Sequence, residues 1–193
     1  IPYAPWSPTP RAMDRTDMDE VVAGFAAAAA NADRAGFDLL ELNMADGYLL
    51  ATFLSPLANR RTDPYGGSLG DRARFPLEVF DAVRSVWPEG KPLGVAITAT
   101  DWAPGGSDLD EAVAVAGWLK ERGCDLVHVR AGQTTPWTRP VYGRFFLVPM
   151  SDRVRNEAGL ATMVGGGLTT YDEVDTIVAA GRADLCLLDR APA

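Results

Sequence analysis

The stretch VVAGFAAAAANADRAGFDLLELN, residues 21–43, decides the fold class. Val21, Phe25, Ala28, Ala29 and Ala32 recur at helical spacing, so one apolar stripe predicts a helix over about Met18–Ala35. The alanine run Ala26–Ala30 lies inside that helix and suits it. Gly36 stops the helix, as a glycine just past the last turn does. Phe37–Leu42 is then a short apolar run of the kind that forms a buried strand.

Outward from this unit the same alternation continues. Upstream, Pro2, Pro5, Pro8 and Pro10 lack backbone donors and predict an extended lead-in over Ile1–Met13. Downstream, a long loop is expected from Asn43 to about Gly70, followed by a helix over Asp71–Trp87. Phe75, Val79, Val83 and Val86 form its apolar face, and Pro88 ends it. Pro92–Ala99 reads as a second strand and Asp108–Arg122 as a helix carrying Leu109, Val113, Ala116 and Leu119. Asp108 and Glu111 hold the N-cap and N3 positions of that helix. Asp125–Arg130 is a third strand, and Ala161–Val164, after a loop and a short helix, a fourth. Thr170 and Glu173 make a capping box for a helix with Val174, Ile177 and Val178, and Leu185–Leu188 is a fifth strand. Strands alternate with helices and no hairpin signal occurs, which argues for a parallel sheet with helical crossovers. A doubly wound sheet and a (β/α) barrel both fit this pattern. No linker or repeat divides the chain, so residues 1–193 read as one domain.

Composition removes several function classes. The chain has 193 residues, 26 acidic and 18 basic side chains, a formal charge of −8 and 47% apolar residues. Binding to nucleic acid or an anionic membrane needs a basic face, which this balance does not offer. No apolar run approaches the roughly 18 residues of a membrane span. The chain starts at Ile1 without a signal peptide, and a cytoplasmic location is expected. Cys124 and Cys186 are far apart, which excludes a CxxC site. The single histidine, His128, excludes a mechanism using two imidazoles.

Candidate chemistry clusters at strand ends. Gly165, Gly166 and Gly167 sit between a strand and a helix, where glycines let a phosphate approach backbone N–H groups. A tight strand-to-helix turn is the simpler account. Asn43, Asp46 and Tyr48 follow the carboxyl end of a strand, where barrels and open sheets collect catalytic groups. A tyrosine hydroxyl can donate a proton and an amide can hold a carbonyl oxygen; a polar loop is the simpler account. His128, mid-strand among valines, reads as a satisfied core residue. Arg60, Arg61, Arg72 and Arg74 could bind phosphate, but pairing with Asp63 and Asp71 is the favoured role. Trp6, Trp102 and Trp137 could line a pocket, although aromatic residues more often simply pack.

Longer motifs add a resemblance. Gly47-Tyr48-Leu49, Phe53-Leu54-Ser55-Pro56, Asn59-Arg60-Arg61-Thr62-Asp63, Tyr65-Gly66-Gly67-Ser68 and Arg72-x-Arg74-Phe75 closely resemble the Old Yellow Enzyme family of FMN-dependent ene-reductases. Ala99-Thr100-Asp101-Trp102, Gly132-Gln133-Thr134, Arg139 to Arg144 and Arg155 to Gly159 look like one branch of it. That branch is the reductase-like module of fusion proteins in which a flavin hydroxylase acts on salicylyl-CoA or 2-aminobenzoyl-CoA.

The resemblance implies an α/β fold, a partial (β/α)8 TIM barrel comprising about strands 4 to 8 with their helices, and FMN at its carboxyl-end mouth. It implies NAD(P)H as reductant, a small-molecule substrate that is an activated alkene or a CoA thioester, and a flavin hydroxylase domain or subunit as partner. Tyr48 matches the proton donor, Asn43 and Asp46 the pair that holds the substrate carbonyl, and Gly166, Gly167 and Arg190 the phosphate site. Four positions depart from the family pattern, the first being Asn43, an amide that can still donate a hydrogen bond. Asp46 is a carboxylate, which when ionised can only accept hydrogen bonds. Ala96 stands where the family carries a flavin-facing arginine, and Asp189 where it carries a glycine beside the phosphate. Two functions therefore stand: an FMN-dependent oxidoreductase module, or a flavin-free relative that serves as a structural or docking domain. A full barrel takes about 250 residues. Five strands alone predict open edges and an isolated chain that aggregates or forms a homo-oligomer.

Overall fold

The computed structural model describes residues 2–189. Helix α1 spans Arg15–Arg34 and begins earlier than its apolar stripe, because Asp14 caps it. The Asp14 carboxylate accepts from the Asp17 N–H at 3.0 Å, and the Asp17 carboxylate accepts from the Asp14 N–H at 2.8 Å. Strand β1 is Leu40–Met44, later than the expected Phe37–Leu42. Lys91 explains the shift: its ammonium donates to the Phe37 carbonyl at 2.8 Å and holds residues 37–39 as a connector, leaving Phe37 and Leu39 exposed. Asn43 consequently lies within the strand rather than beyond it.

The expected long loop contains a helix, α2 (Leu49–Leu54), whose six residues are too few to show a period. It buries Leu50, Ala51 and Phe53, and the Phe53 ring packs on Phe75 at 4.5 Å. Helix α3 (Leu69–Val86) starts at the Ser68 cap, β2 is Leu93–Thr98, α4 is Leu109–Glu121 and β3 is Leu126–Arg130. Asp108 caps α4 by accepting from the Glu111 N–H at 3.0 Å. The short helix α5 (Val148–Arg153) runs into a π-helical turn, Val154–Ala158, that ends at Gly159 with φ +64°. Strand β4 (Ala161–Val164), the Thr170–Glu173 capping box and α6 (Tyr171–Ala179) are as expected. Strand β5 is only Leu185–Cys186.

All strand pairs are parallel and the order is β1-β2-β3-β4-β5. This order separates the two architectures. A doubly wound sheet reverses its strand order at a switch point and carries helices on both faces. Here the order never reverses, and α1 packs on α3 and α3 on α4 along one face. The sheet is a sector of a barrel. Alternate residues (Val95, Ile97, Val127, Val129) point into the helix-covered core. The intervening residues Glu41, Asn43, Ala96, Thr98, His128 and Arg130 face the concave side. Among the described residues β1 and β5 each have one strand neighbour, and Leu185 and Leu187 are exposed. The short strands are thus covered on their helix face, and toward β5 the other face lies open.

Candidate active site

Register places Asn43, Ala96, His128 and Met163 in one row across the concave face. With only Gly94 and Ala96 on the strand between, the Glu41 carboxylate reaches across β2 to His128, 3.1 Å from Nδ1. His128 is therefore satisfied, as its apolar setting suggests, but by a carboxylate on the concave side. One row further, Thr98 pairs with Arg130. Thr98 Oγ1 accepts from the Asp46 N–H at 3.2 Å, and Arg130 Nη2 lies 2.9 Å from Asp46 Oδ2. Asp46 adopts φ +57°, the left-handed region that aspartate tolerates better than most residues. Burial pushes its carboxyl group above the usual carboxylate range, and the Arg130 and His128 charges only partly oppose this. Asn43 turns its side-chain oxygen to the Ala45 N–H at 2.8 Å.

A cleft of about 580 Å³ opens at these strand ends. It brings together four of the expected site residues, Asp46, Tyr48, Gly166 and Asp189, with His128 and Arg130. Tyr48 precedes α2 and is 63% exposed, so its hydroxyl is accessible. Asn43, Ala96 and Gly167 do not border the cleft, and Arg190 lies outside the described residues. Trp102 does line it, in edge contact with Tyr142 at 5.8 Å and tilted against Phe146 at 5.9 Å. Trp6 and Trp137 stand apart from it and are exposed.

Sequence reasoning missed Arg130, Tyr142 and Phe146 as site residues. Arg130 was within reach, because it ends a strand on the same parity as His128. The aromatic pair comes from an irregular loop that carries no periodic signal. Three of the four clustered arginines, Arg61, Arg72 and Arg74, make structural contacts. Arg74 pairs with Asp71 at 2.8 Å, Arg61 pairs with Asp63, and Arg72 is buried among backbone carbonyls.

One N–H of the glycine loop meets an anion, which the chain itself supplies. The Asp189 carboxylate accepts from the Gly167 N–H at 2.9 Å. A Cβ on Gly166 would strike the Phe146 ring at 2.8 Å, so that glycine is required by packing as well as by its φ of +90°. The donor chemistry suits a phosphate, for which Asp189 is the stand-in and from which it would have to withdraw.

Glu173 clamps the same loop. It accepts from the Thr169 N–H at 2.6 Å, the Thr170 N–H at 3.1 Å and Arg144 Nε at 2.7 Å. These bonds, the Thr169 N–H foremost, hold its carboxyl group down at about 2. A carboxylate with a depressed pKa stabilises the fold above its unfolded pKa, and that stability is lost as pH falls toward about 2. Thermal melts should show Glu173→Gln less stable than the parent at neutral pH, with the gap closing as pH is lowered through that window. A gap that does not change with pH would sink the assignment. Among the described residues no group of three or more His, Cys, Asp and Glu side chains could hold a metal, and no helix is long and apolar enough to cross a membrane.

A parallel barrel sector with polar side chains gathered at the carboxyl ends of its strands defines the architecture of the barrel enzymes. The chain belongs to the NADH:flavin oxidoreductase / NADH oxidase family, the Old Yellow Enzyme family of its motifs, whose sequence profile matches residues 5–192. It is 43% identical over 190 residues to an NADPH dehydrogenase of Geobacillus thermodenitrificans, covering 98% of this chain and 55% of the relative. It is 39% identical over the same length to an NADPH dehydrogenase of Listeria welshimeri, also 55% covered. The chain thus spans about half the length of these curated relatives. Among solved structures it resembles morphinone reductase, with a TM-score of 0.74, 31% identity and coverage of 93% of this chain and 47% of that one. It also resembles 2-naphthoyl-CoA reductase in complex with 2-naphthoyl-CoA, with a TM-score of 0.83, 26% identity and coverage of 91% and 27%.

Proposed function

We propose that the chain is the sector comprising about strands 4 to 8 of an FMN-dependent oxidoreductase barrel. The enzyme takes reducing equivalents from NAD(P)H and passes them to an activated alkene or a conjugated acyl compound, a CoA thioester among them. The observation that carries this reading is the convergence of Tyr48, Asp46 and Gly166 on one cleft at the strand ends of a chain of this family. Bound FMN supplies the hydride relay between nicotinamide and acceptor. The glycine loop and Arg190 would hold its phosphate once Asp189 withdraws from Gly167. Trp102 and Phe146 wall the cleft and exclude water from one side. Tyr48 holds its proton at the exposed phenolic oxygen, from which it can be given to the acceptor carbon. A flavin hydroxylase domain or subunit remains the partner that the sequence motifs suggest.

Absorbance after desalting tests the reading: the purified chain should retain added FMN in stoichiometric amount. Protein that elutes free of flavin would favour the flavin-free alternative, which family membership otherwise opposes. In the loaded protein, Tyr48→Phe should slow reoxidation by an alkene about a hundredfold. Flavin reduction by NADPH should be nearly unchanged in a stopped-flow trace, and equal loss of both half-reactions would refute the donor role.

A further inference from the structure

We infer that Arg130 selects the substrate, its guanidinium receiving the carbonyl or carboxylate oxygen of a planar conjugated acyl compound. The inference rests on the proposed reading that such a compound enters the cleft. Neither position expected to hold a substrate oxygen offers a donor to the cleft lining. Asn43 does not border the cleft and its side-chain oxygen is committed to the Ala45 N–H. Asp46 offers a carboxylate, which accepts and repels an oxyanion rather than donating to it.

Arg130 has the properties that those positions lack. It is the one fixed cation among the described residues that border the cleft. Its side chain is 41% exposed, and one terminal nitrogen is anchored 2.9 Å from Asp46, whose own side chain is only 13% exposed. The anchor removes rotamer freedom from a long side chain before a ligand arrives, which lowers the entropic cost of binding. The cleft is also lined by aromatic rings, with Tyr142 and Phe146 in edge contact at 5.1 Å and Trp102 beside them. A fixed cation and aromatic rings lining one cleft suit a flat molecule with an oxygen at one end. Arg130 on β3 thus brings a cation to a lining whose carboxylates are Asp46 and Asp189, although β2 carries Ala96.

Calorimetric titration of the purified chain with cinnamate and its neutral isostere cinnamamide tests this. The parent should bind cinnamate about tenfold more tightly, the scale of a charge-assisted hydrogen bond. Arg130→Gln should erase that preference by weakening cinnamate far more than cinnamamide, which loses only a neutral hydrogen bond. Arg130→Lys, which keeps the charge and the fold but loses the planar fork, should retain part of the preference. A parent without preference, or a preference that survives Arg130→Gln, overturns the inference. The readout needs no flavin. Loss of preference in Arg130→Gln by a chain that cannot bind FMN would keep the oxygen site and refute the oxidoreductase reading. A flavin-binding chain whose preference ignores Arg130 would do the reverse.

Discussion

Arg72→Met should lower stability by about 3 kcal/mol, read as an earlier urea midpoint with an unchanged slope. Arg72 is 4% exposed in α3 and ties three elements together. It donates to the Gly67 carbonyl at 3.2 Å, to the Leu54 carbonyl at the end of α2, and to the Glu111 carboxylate in the first turn of α4. Methionine matches much of its apolar stem, so the loss reports on the charge and its hydrogen bonds rather than on a void. Glu111 makes the effect large, because its second oxygen is buried without a partner among the described residues. Without the guanidinium that carboxylate is uncompensated, which costs more than the intact pair contributes. The double variant Arg72→Met/Glu111→Leu should therefore recover part of the loss. A single variant within about 1 kcal/mol of the parent would show that the clamp holds little.

Asp101→Ala should be comparably severe, at about 3 kcal/mol, and should loosen the rim of the cleft. Asp101 is fully buried and gathers three connections that sequence separates widely. It accepts from Ser55 Oγ at 2.7 Å just after α2, from the Ser107 N–H at 2.7 Å before α4, and from Thr134 Oγ1 in the loop after β3. Alanine leaves three donors without an acceptor and a gap beside Gly106, which packs so closely that a Cβ there would lie 2.7 Å from Oδ2. Hydrogen exchange should accelerate at residues 106–107 and around Thr134, alongside a lower melting temperature. Unchanged exchange there would mean that the loops are held by their own packing. Asp101→Asn should recover little, because its amide nitrogen cannot accept at the position it takes.

Periodicity served well where elements are long or capped. The stripes of α3 and α4 and the Thr170–Glu173 box place helices to within a few residues, since both signals act within a turn or two of chain. Strand β1 was misplaced because an apolar run does not say where pairing begins, and the partner's register with Leu93 does. Helix α2 escaped notice because its burial against α3 outweighs a local signal too short to detect. For the site, Tyr48 and Asp46 were legible from motif and position, and the structure brings both to the cleft. The anchoring of Asp46 by Arg130, 84 positions along the chain (130 minus 46), was not legible from either residue alone.

The alternation of strands and helices, the acidic balance and the family motifs are properties of neighbouring residues, and the sequence by itself determines them: a parallel α/β domain of the Old Yellow Enzyme family. The choice of barrel over doubly wound sheet needed the strand order, because local periodicity is the same in both. The chemistry of the cleft needed the register. Two small residues on β2 let Glu41 reach His128, and the matching row on β3 puts Arg130 against Asp46. Those contacts cross an intervening strand, a distance that only the folded sheet sets.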